Sequence, residues 1–296
     1  MRILSFGSLN FDHVYNTDHF VVPKETMPAL SYNRGFGGKG QNQSVAMSKA
    51  GLEVFHAGRV GADGQPFVDY LNSLGVNTTY LIKDDSSVTG HAIIEVSGGE
   101  NRIILFGGAN REIDEDMVDS VLSHFSEGDW LVIQNEISSL PYLIEKAKKR
   151  SLKILFNAAP MEESVKSYPL DLVDIICVNE IEGKALSGCE SSSCDDIGKT
   201  LSARYPDSDI LLTAGEEGSW YFGRNNDTFH EGVLKVKAVD TTAAGDTYIG
   251  YFLAGLSLGK DIPSAMHYAS VASALAVQKP GAADSVPYPE EVEKYL

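Results

Sequence analysis

Two turns built from small residues carry the groups that could do chemistry. In DTTAAGDTYIG, residues 240–250, two threonines, Ala243, Ala244 and Gly245 lead up to a lone Asp246. Small side chains let a ligand approach the backbone, and glycine reaches dihedrals that other residues avoid. Ile249, Phe252, Leu253 and Leu256 then recur at i, i+3, i+4 and i+7. This spacing predicts a helix that Gly259 ends, with Asp246 in its first turn. A carboxylate there can take a proton from a hydroxyl, and the N–H groups of residues 243–246 at a helix N-terminus can hold developing negative charge. Helix capping is the alternative role for an aspartate at this place. The other turn is GFGGKG, residues 35–40, with Lys39 among its glycines and Asn42 just beyond. The two turns together supply donors and a carboxylate, as group transfer to a hydroxyl needs. In phosphoryl transfer positioning dominates, so the base needs no raised pKa.

Other chemistries fit less well. Gly35, Gly37 and Gly40 match the Gly-x-Gly-x-x-Gly dinucleotide fingerprint in form. The first strand, however, ends about 25 residues before it, and no acidic residue closes a second strand about 20 residues on, Glu53 coming too early. A Walker A loop is absent, because no Gly-x4-Gly-Lys is followed by Ser or Thr. A nicotinamide-dependent oxidoreductase therefore ranks last. The formal charge of −17 argues against nucleic acid or an anionic membrane surface as partner, so any phosphate site must work by local geometry. No apolar run approaches the roughly 20 residues that span a bilayer. Three cysteines, Cys177, Cys189 and Cys194, with no signal peptide in view, lead us to expect reduced thiols and a cytoplasmic location. Cys189 and Cys194 lie in a Ser-rich stretch without a nearby histidine, so no metal set is expected there.

The elements that must position these groups follow from periodicity. Strands are expected at 2–6, 54–61, 129–134, 152–156, 173–178 and 209–215, and helices at 41–50, 64–74, 140–150 and 195–205. Alternation without hairpin turns between them argues for a parallel sheet covered on both faces, within a single domain spanning 1–296. Residues 11–35 and 86–106 break the rhythm. HAIIEVSGGENRIILF, with Gly98 and Gly99 at its turn, reads as a β-hairpin, and both stretches read as a small sheet above the main one, a candidate lid. Pro263 opens a helix carrying Ala265, Ala269, Ala272 and Ala276, and Pro289 begins a last short one.

GGKGQNQSVA (37–46) and DTTAAGDTYIG (240–250) resemble the two signatures of the ribokinase-like, PfkB-type carbohydrate kinases, in the same order and separation. GSLNFDH (7–13), NEIEG (179–183), TAGEEGSW (213–220) and KPGAADSVP (279–287) resemble that family as well, so the likeness runs from Gly7 to Pro287. It implies a three-layer α/β/α fold with a mostly parallel central sheet and a small β-sheet lid. It also implies ATP with Mg²⁺, and transfer of the γ-phosphoryl group to a sugar-type hydroxyl. Implied acceptor contacts fall on Asn10, Asp12, Gly38, Lys39, Asn42 and Glu136, with Ala92 and Ile94 from the lid. The implied base is Asp246, with Ala243, Ala244 and Gly245 forming the anion hole. Asn179 and Glu182 match the motif that orients Mg²⁺ and phosphates through water, and Thr213, Gly215 and Gly245 match nucleotide contacts. A monovalent-cation site, expected to take K⁺ mostly through backbone carbonyls, would fall on Asp240, Thr242, Ala276, Lys279, Gly281 and Ser285.

GGKGQNQ is nearest the ribokinase form, which makes the hydroxymethyl group of ribose the expected acceptor and ribose 5-phosphate the product. Gln41 and His91 depart from the family, which usually has small residues at both places. A nucleoside kinase would need Phe36 or Phe106 to face the pocket, and a sugar-acid kinase would use Arg34 or Arg102. A non-catalytic sugar sensor would lack the base or the anion-hole glycine, yet Asp246 and Gly245 are both present. The open edge of a strand-built lid leads us to expect a homodimer through residues 11–35 and 86–106.

Overall fold

The computed structural model describes residues 1–296. In chain order the elements begin β1 (Arg2–Phe6), β2 (Asn10–Asn16), β3 (Ser31–Gly37), α1 (Lys39–Lys49), β4 (Glu53–Gly61), α2 (Gln65–Ser73), β5 (Asn77–Asp84), β6 (Gly90–Ser97) and β7 (Glu100–Phe106). The middle of the chain supplies α3 (Glu115–Leu122), β8 (Trp130–Gln134), α4 (Leu140–Lys149), β9 (Lys153–Asn157), β10 (Ile175–Asn179), α5 (Glu180–Ser187) and α6 (Cys194–Arg204). It ends with β11 (Asp209–Thr213), β12 (Ser219–Phe222), β13 (Thr228–Glu231), α7 (Ala244–Ser257), α8 (Ile262–Ala276) and α9 (Pro289–Val292). A nine-stranded sheet runs β13-β12-β11-β10-β9-β8-β1-β4-β5, and a separate four-stranded sheet runs β3-β2-β6-β7. No helix is long and apolar enough to cross a membrane.

Seven strands of the large sheet, β11 through β5 in that order, are parallel neighbours. Their side chains alternate between two apolar layers. Ile3, Val132, Leu155, Cys177 and Leu211 join the layer containing α1, α7 and α8. Leu4, Leu131, Ile133, Phe156, Ile176, Val178 and Leu212 join the layer containing α3 to α6. Burial on both faces explains why these strands read as continuous apolar runs. The result is the expected three-layer α/β/α fold with a small β lid. One expectation needs correction: β12 and β13 form an antiparallel hairpin at the edge of the sheet. Its strands have four residues each, too short to show a period. The candidate lid segment 11–35 forms two strands, β2 and β3, joined by a loop, and they share the small sheet with β6 and β7.

Period-two alternation divides the lid into two faces. Asp12 pairs with Ala92 and Val14 with Ile94, so Asn10, Asp12, Ala92 and Ile94 share one face. Phe11 pairs with Phe36 and His91, and His91 with Phe106, on the other.

The two helices that begin with the motif residues cross where side chains are smallest. A Cβ added at Gly250 of α7 would lie 2.7 Å from Ala46 Cβ and 2.8 Å from Ala46 C on α1. Backbone on one side leaves nothing flexible to yield. We expect Gly250→Val to force α1 and α7 apart and destabilise the fold by about 1–3 kcal/mol, the usual cost of overpacking. Urea unfolding of the variant against the parent checks this.

Candidate active site

The site lies beyond the carboxyl ends of β1, β8 and β10, where α1, α5 and α7 begin. This crevice is the usual ligand position in open parallel sheets. Gly7 follows β1 and touches Gly40 closely: a Cβ on Gly7 would sit 2.6 Å from Gly40 Cα, and one on Gly40 would sit 2.3 Å from Ser8 N. The first loop is thereby pressed onto the first turn of α1. Asn110 secures the same loop from behind, accepting from Leu9 N–H at 3.0 Å and donating to Asn10 Oδ1 at 2.9 Å.

Asp246 is buried in the first turn of α7. Asn42 Nδ2 donates to its Oδ2 at 3.1 Å, and Gln43 Nε2 donates to its Oδ1 at 2.9 Å. Each carboxylate oxygen keeps lone-pair capacity for a further donor, such as a substrate hydroxyl. Asn42 Oδ1 is buried without a partner, a second acceptor with spare capacity. Glu136 accepts from Ser8 Oγ and, at 2.9 Å, from Lys39 N–H. Burial works against the charge on the Lys39 ammonium, but Asp246, Glu136 and Glu182 outweigh it and raise its pKa. Asp12 has its carboxyl pushed up to about 6, first by burial and then by Glu136. Asp12, which has no protein donor, beside Glu136 and Asp246, which keep spare acceptor capacity, suits a ligand rich in hydroxyl groups.

On the opposite side, Asn179 caps α5 and forms a capping box with Glu182. Glu182 N–H donates to Asn179 Oδ1 at 2.8 Å, and Asn179 N–H donates to Glu182 Oε2 at 2.9 Å. Burial raises the Glu182 pKa, against the lowering effect of the Asn179 N–H and of Lys39. At the start of α7, Ala244 N–H donates to Thr241 O at 3.2 Å, which takes it out of the expected set of anion donors. The N–H groups of Ala243, Gly245 and Asp246 have no protein acceptor. Thr213 ends β11 and Gly215 follows at φ +47°. No group of three or more His, Cys, Asp or Glu side chains is arranged to hold a metal ion.

Asp240 draws together part of the expected cation loop. Its Oδ1 accepts from the Thr242 N–H and hydroxyl, and its Oδ2 accepts from Gly281 N–H at 2.9 Å. Burial opposes the charge on Asp240, yet these donors lower its pKa. Ala276 O accepts from Lys279 N–H at 3.1 Å, the Lys279 ammonium pairs with Glu291, and Ser285 Oγ donates to Ala282 O.

Residues tied to rival acceptors lie elsewhere. Phe36 stacks on Tyr70 with centroids 4.5 Å apart, and Arg34 sits 3.6 Å above the Phe11 ring. Arg102 covers Phe20, and Phe106 neighbours His91. By register all four belong to the lid face opposite Asp12, as does His91. Gln41 is fully buried with neither amide atom paired. The sequence reading missed Ser8, Gln43, Asn110, Gln134 and Asn157; of these, Gln43 and Gln134 stand beside recognised residues in GGKGQNQ and QNE.

An α/β fold with a β lid, a buried carboxylate at a helix start and free N–H groups beside it defines a phosphotransferase-type site. A model of the pfkB family carbohydrate kinases matches residues 1–289, and the chain belongs to that family. Ribokinase of Haemophilus influenzae is 32% identical over 98% of this chain and 96% of its own. Ribokinase of Staphylococcus aureus is 33% identical over 99% of each. The structure of Arabidopsis thaliana ribokinase complexed with ribose and ATP superposes with a TM-score of 0.89 at 26% identity, covering 99% of this chain and 97% of that one.

Asp12 offers a pH test. Hydroxyl donors favour its ionised form, so affinity for the acceptor should be full above pH 6 and fall as the pH drops through 6, by up to about tenfold per unit. Acceptor KM measured from pH 5 to 8 should show this inflection, and Asp12→Asn should bind weakly without it.

Proposed function

We propose that this carbohydrate kinase transfers the γ-phosphoryl group of ATP to the hydroxymethyl group of ribose, giving ribose 5-phosphate and ADP. The observation that carries the reading is the buried Asp246, held by two amide donors and set beside free N–H groups at the start of α7. Asn10, Asp12, Asn42, Gly38, Lys39 and Glu136 hold the sugar hydroxyls, with Ala92 and Ile94 closing over them from the lid. Asp246 takes the hydroxymethyl proton as the new O–P bond forms and the bond to the β-phosphate oxygen breaks. The Ala243, Gly245 and Asp246 N–H groups and the Lys39 ammonium meet the charge on the phosphoryl oxygens. Water kept out by the lid cannot compete as acceptor.

Asn179, Thr213 and Gly215 serve the nucleotide. Glu182 would hold the Mg²⁺ that accompanies ATP, through water, and that ion would offset phosphate charge. Asp240, Thr242 and Gly281, with carbonyls of Ala276, Lys279 and Ser285, form the site we assign to K⁺. The lid face opposite Asp12 exposes Ile93, Ile104 and Phe106, which supports a homodimer through the lid. Free thiols at all three cysteines are in keeping with a reducing compartment such as the cytoplasm. Nucleoside and sugar-acid readings draw no support from Phe36, Phe106, Arg34 or Arg102, all on the lid face away from Asp12.

Acceptor-dependent ADP release, measured with ATP and Mg²⁺ over pentoses, 2-deoxyribose, hexoses, sugar acids and nucleosides, with and without K⁺, tests the proposal. Ribose should give the highest kcat/KM, and Asp246→Asn should lower kcat by about 10²- to 10⁴-fold. Preference for another acceptor class would overturn the substrate assignment, and a fully active Asp246→Asn would overturn the base.

A further inference from the structure

Gln43 has no solvent exposure and sits directly after Asn42 on α1. Its Nε2 donates to Asp246 Oδ1 at 2.9 Å and to Asn157 Oδ1 at 3.2 Å, and its Oε1 accepts from Gln134 Nε2 at 2.7 Å. Asn157 Nδ2 in turn donates to the Cys177 carbonyl at 3.2 Å. The polarity of this chain is fixed from both ends. The Cys177 carbonyl can only accept, which turns Asn157 Oδ1 toward Gln43. The acceptors Asn157 Oδ1 and Asp246 Oδ1 then both require the Gln43 N–H₂ group, which leaves its Oε1 for Gln134. Flipping either the Asn157 or the Gln43 amide would set acceptor against acceptor in a buried place, at the cost of an unsatisfied group.

We propose that Gln43 is a positioning residue for phosphoryl transfer, fixing the rotation of the Asp246 carboxylate relative to the ends of β8, β9 and β10. Its anchors sit next to other site residues: Gln134 precedes Glu136 by two positions, and Cys177 precedes Asn179 by two. Asn42 alone holds one carboxylate oxygen and leaves the plane of the group free to turn, since the terminal torsion of aspartate is soft. The second donor removes that freedom. This inference rests on the reading of Asp246 as the base.

The test compares Gln43→Leu, Gln43→Glu, Asn157→Leu and Asp246→Asn, each with melting temperature, ATP affinity and the pH profile of kcat, which is free of the Asp12 inflection in acceptor KM. Gln43→Leu should lose about 10²-fold in kcat, the scale of a misplaced reacting group, with ATP affinity unchanged. Adding it to Asp246→Asn should cost nothing further, because it acts through that carboxylate. Gln43→Glu sets a second carboxyl against Asp246, so the pair shares a proton and the acid limb should move up by about one pH unit or more. A purely structural amide would cost melting temperature without lowering kcat in the folded variant. If Gln43→Leu does not fold, Asn157→Leu decides: it should keep parental ATP affinity and lose part of kcat, and a folded Asn157→Leu with parental kcat overturns the proposal. A folded Gln43→Leu with parental kcat, or a Gln43→Glu with a parental acid limb, overturns the proposal. Those results with an inactive Asp246→Asn would sink the positioning role alone, whereas an active Asp246→Asn would sink the base reading beneath it.

Discussion

The close crossing of α1 and α7 is the constraint on which the site depends. Ala46 lies one helical turn beyond Asn42, and Gly250 lies one turn beyond Asp246. Backbone-to-backbone contact between Ala46 and Gly250 therefore fixes, one turn of about 5.4 Å nearer each N-terminus, the distance between the two helix starts. Asn42 and Gln43 can then reach Asp246 with short amide side chains. A larger residue at the crossing would separate Asp246 from Asn42 and Gln43 without itself lying at the site.

Charge is managed on the same local scale. The chain carries a net −17, and three carboxylates, Asp246, Glu136 and Glu182, face the ammonium of Lys39, while Asp12 faces Glu136. Attraction of a polyphosphate to such a surface cannot come from the field of the whole protein. It has to come from oriented N–H groups at the start of α7, Lys39 and the accompanying cation. In the proposed reaction Asp12, Glu136 and Asp246 serve the opposite partner, an uncharged ligand whose hydroxyl groups donate to them. Division of one crevice into an acceptor-rich and a donor-rich half matches a reaction between a polyol and a nucleoside triphosphate.

Much of this was legible in the amino-acid order. Central strands such as ILSF and LVIQ announce themselves because burial on both faces leaves only apolar residues. Eight-residue helices do not: α3 and α5 are too short for a period to stand out, and α5 carries Gly183 in its interior. Strand β5, half exposed at the sheet edge, mixes Asn, Thr, Lys and Asp with its apolar residues and was hidden for that reason. Asp246, Lys39 and Asn42 could be picked by chemical type and spacing. Gln43, Gln134 and Asn157 could not, because an amide that touches only other protein groups has no signature until the fold brings three segments together. Strand parity alone sets His91 on the face opposite its neighbour Ala92, a deduction open to sequence once β6 was recognised.

A crystal structure of the ternary complex with ribose and a non-hydrolysable ATP analogue tests the central claim most directly. The account predicts the hydroxymethyl oxygen about 2.6–3.2 Å from an Asp246 carboxylate oxygen, within hydrogen-bond reach, with the Asn42 and Gln43 bonds retained. A sugar seated with that oxygen against Asp12 or Glu136, or with no carboxylate within reach, would contradict it.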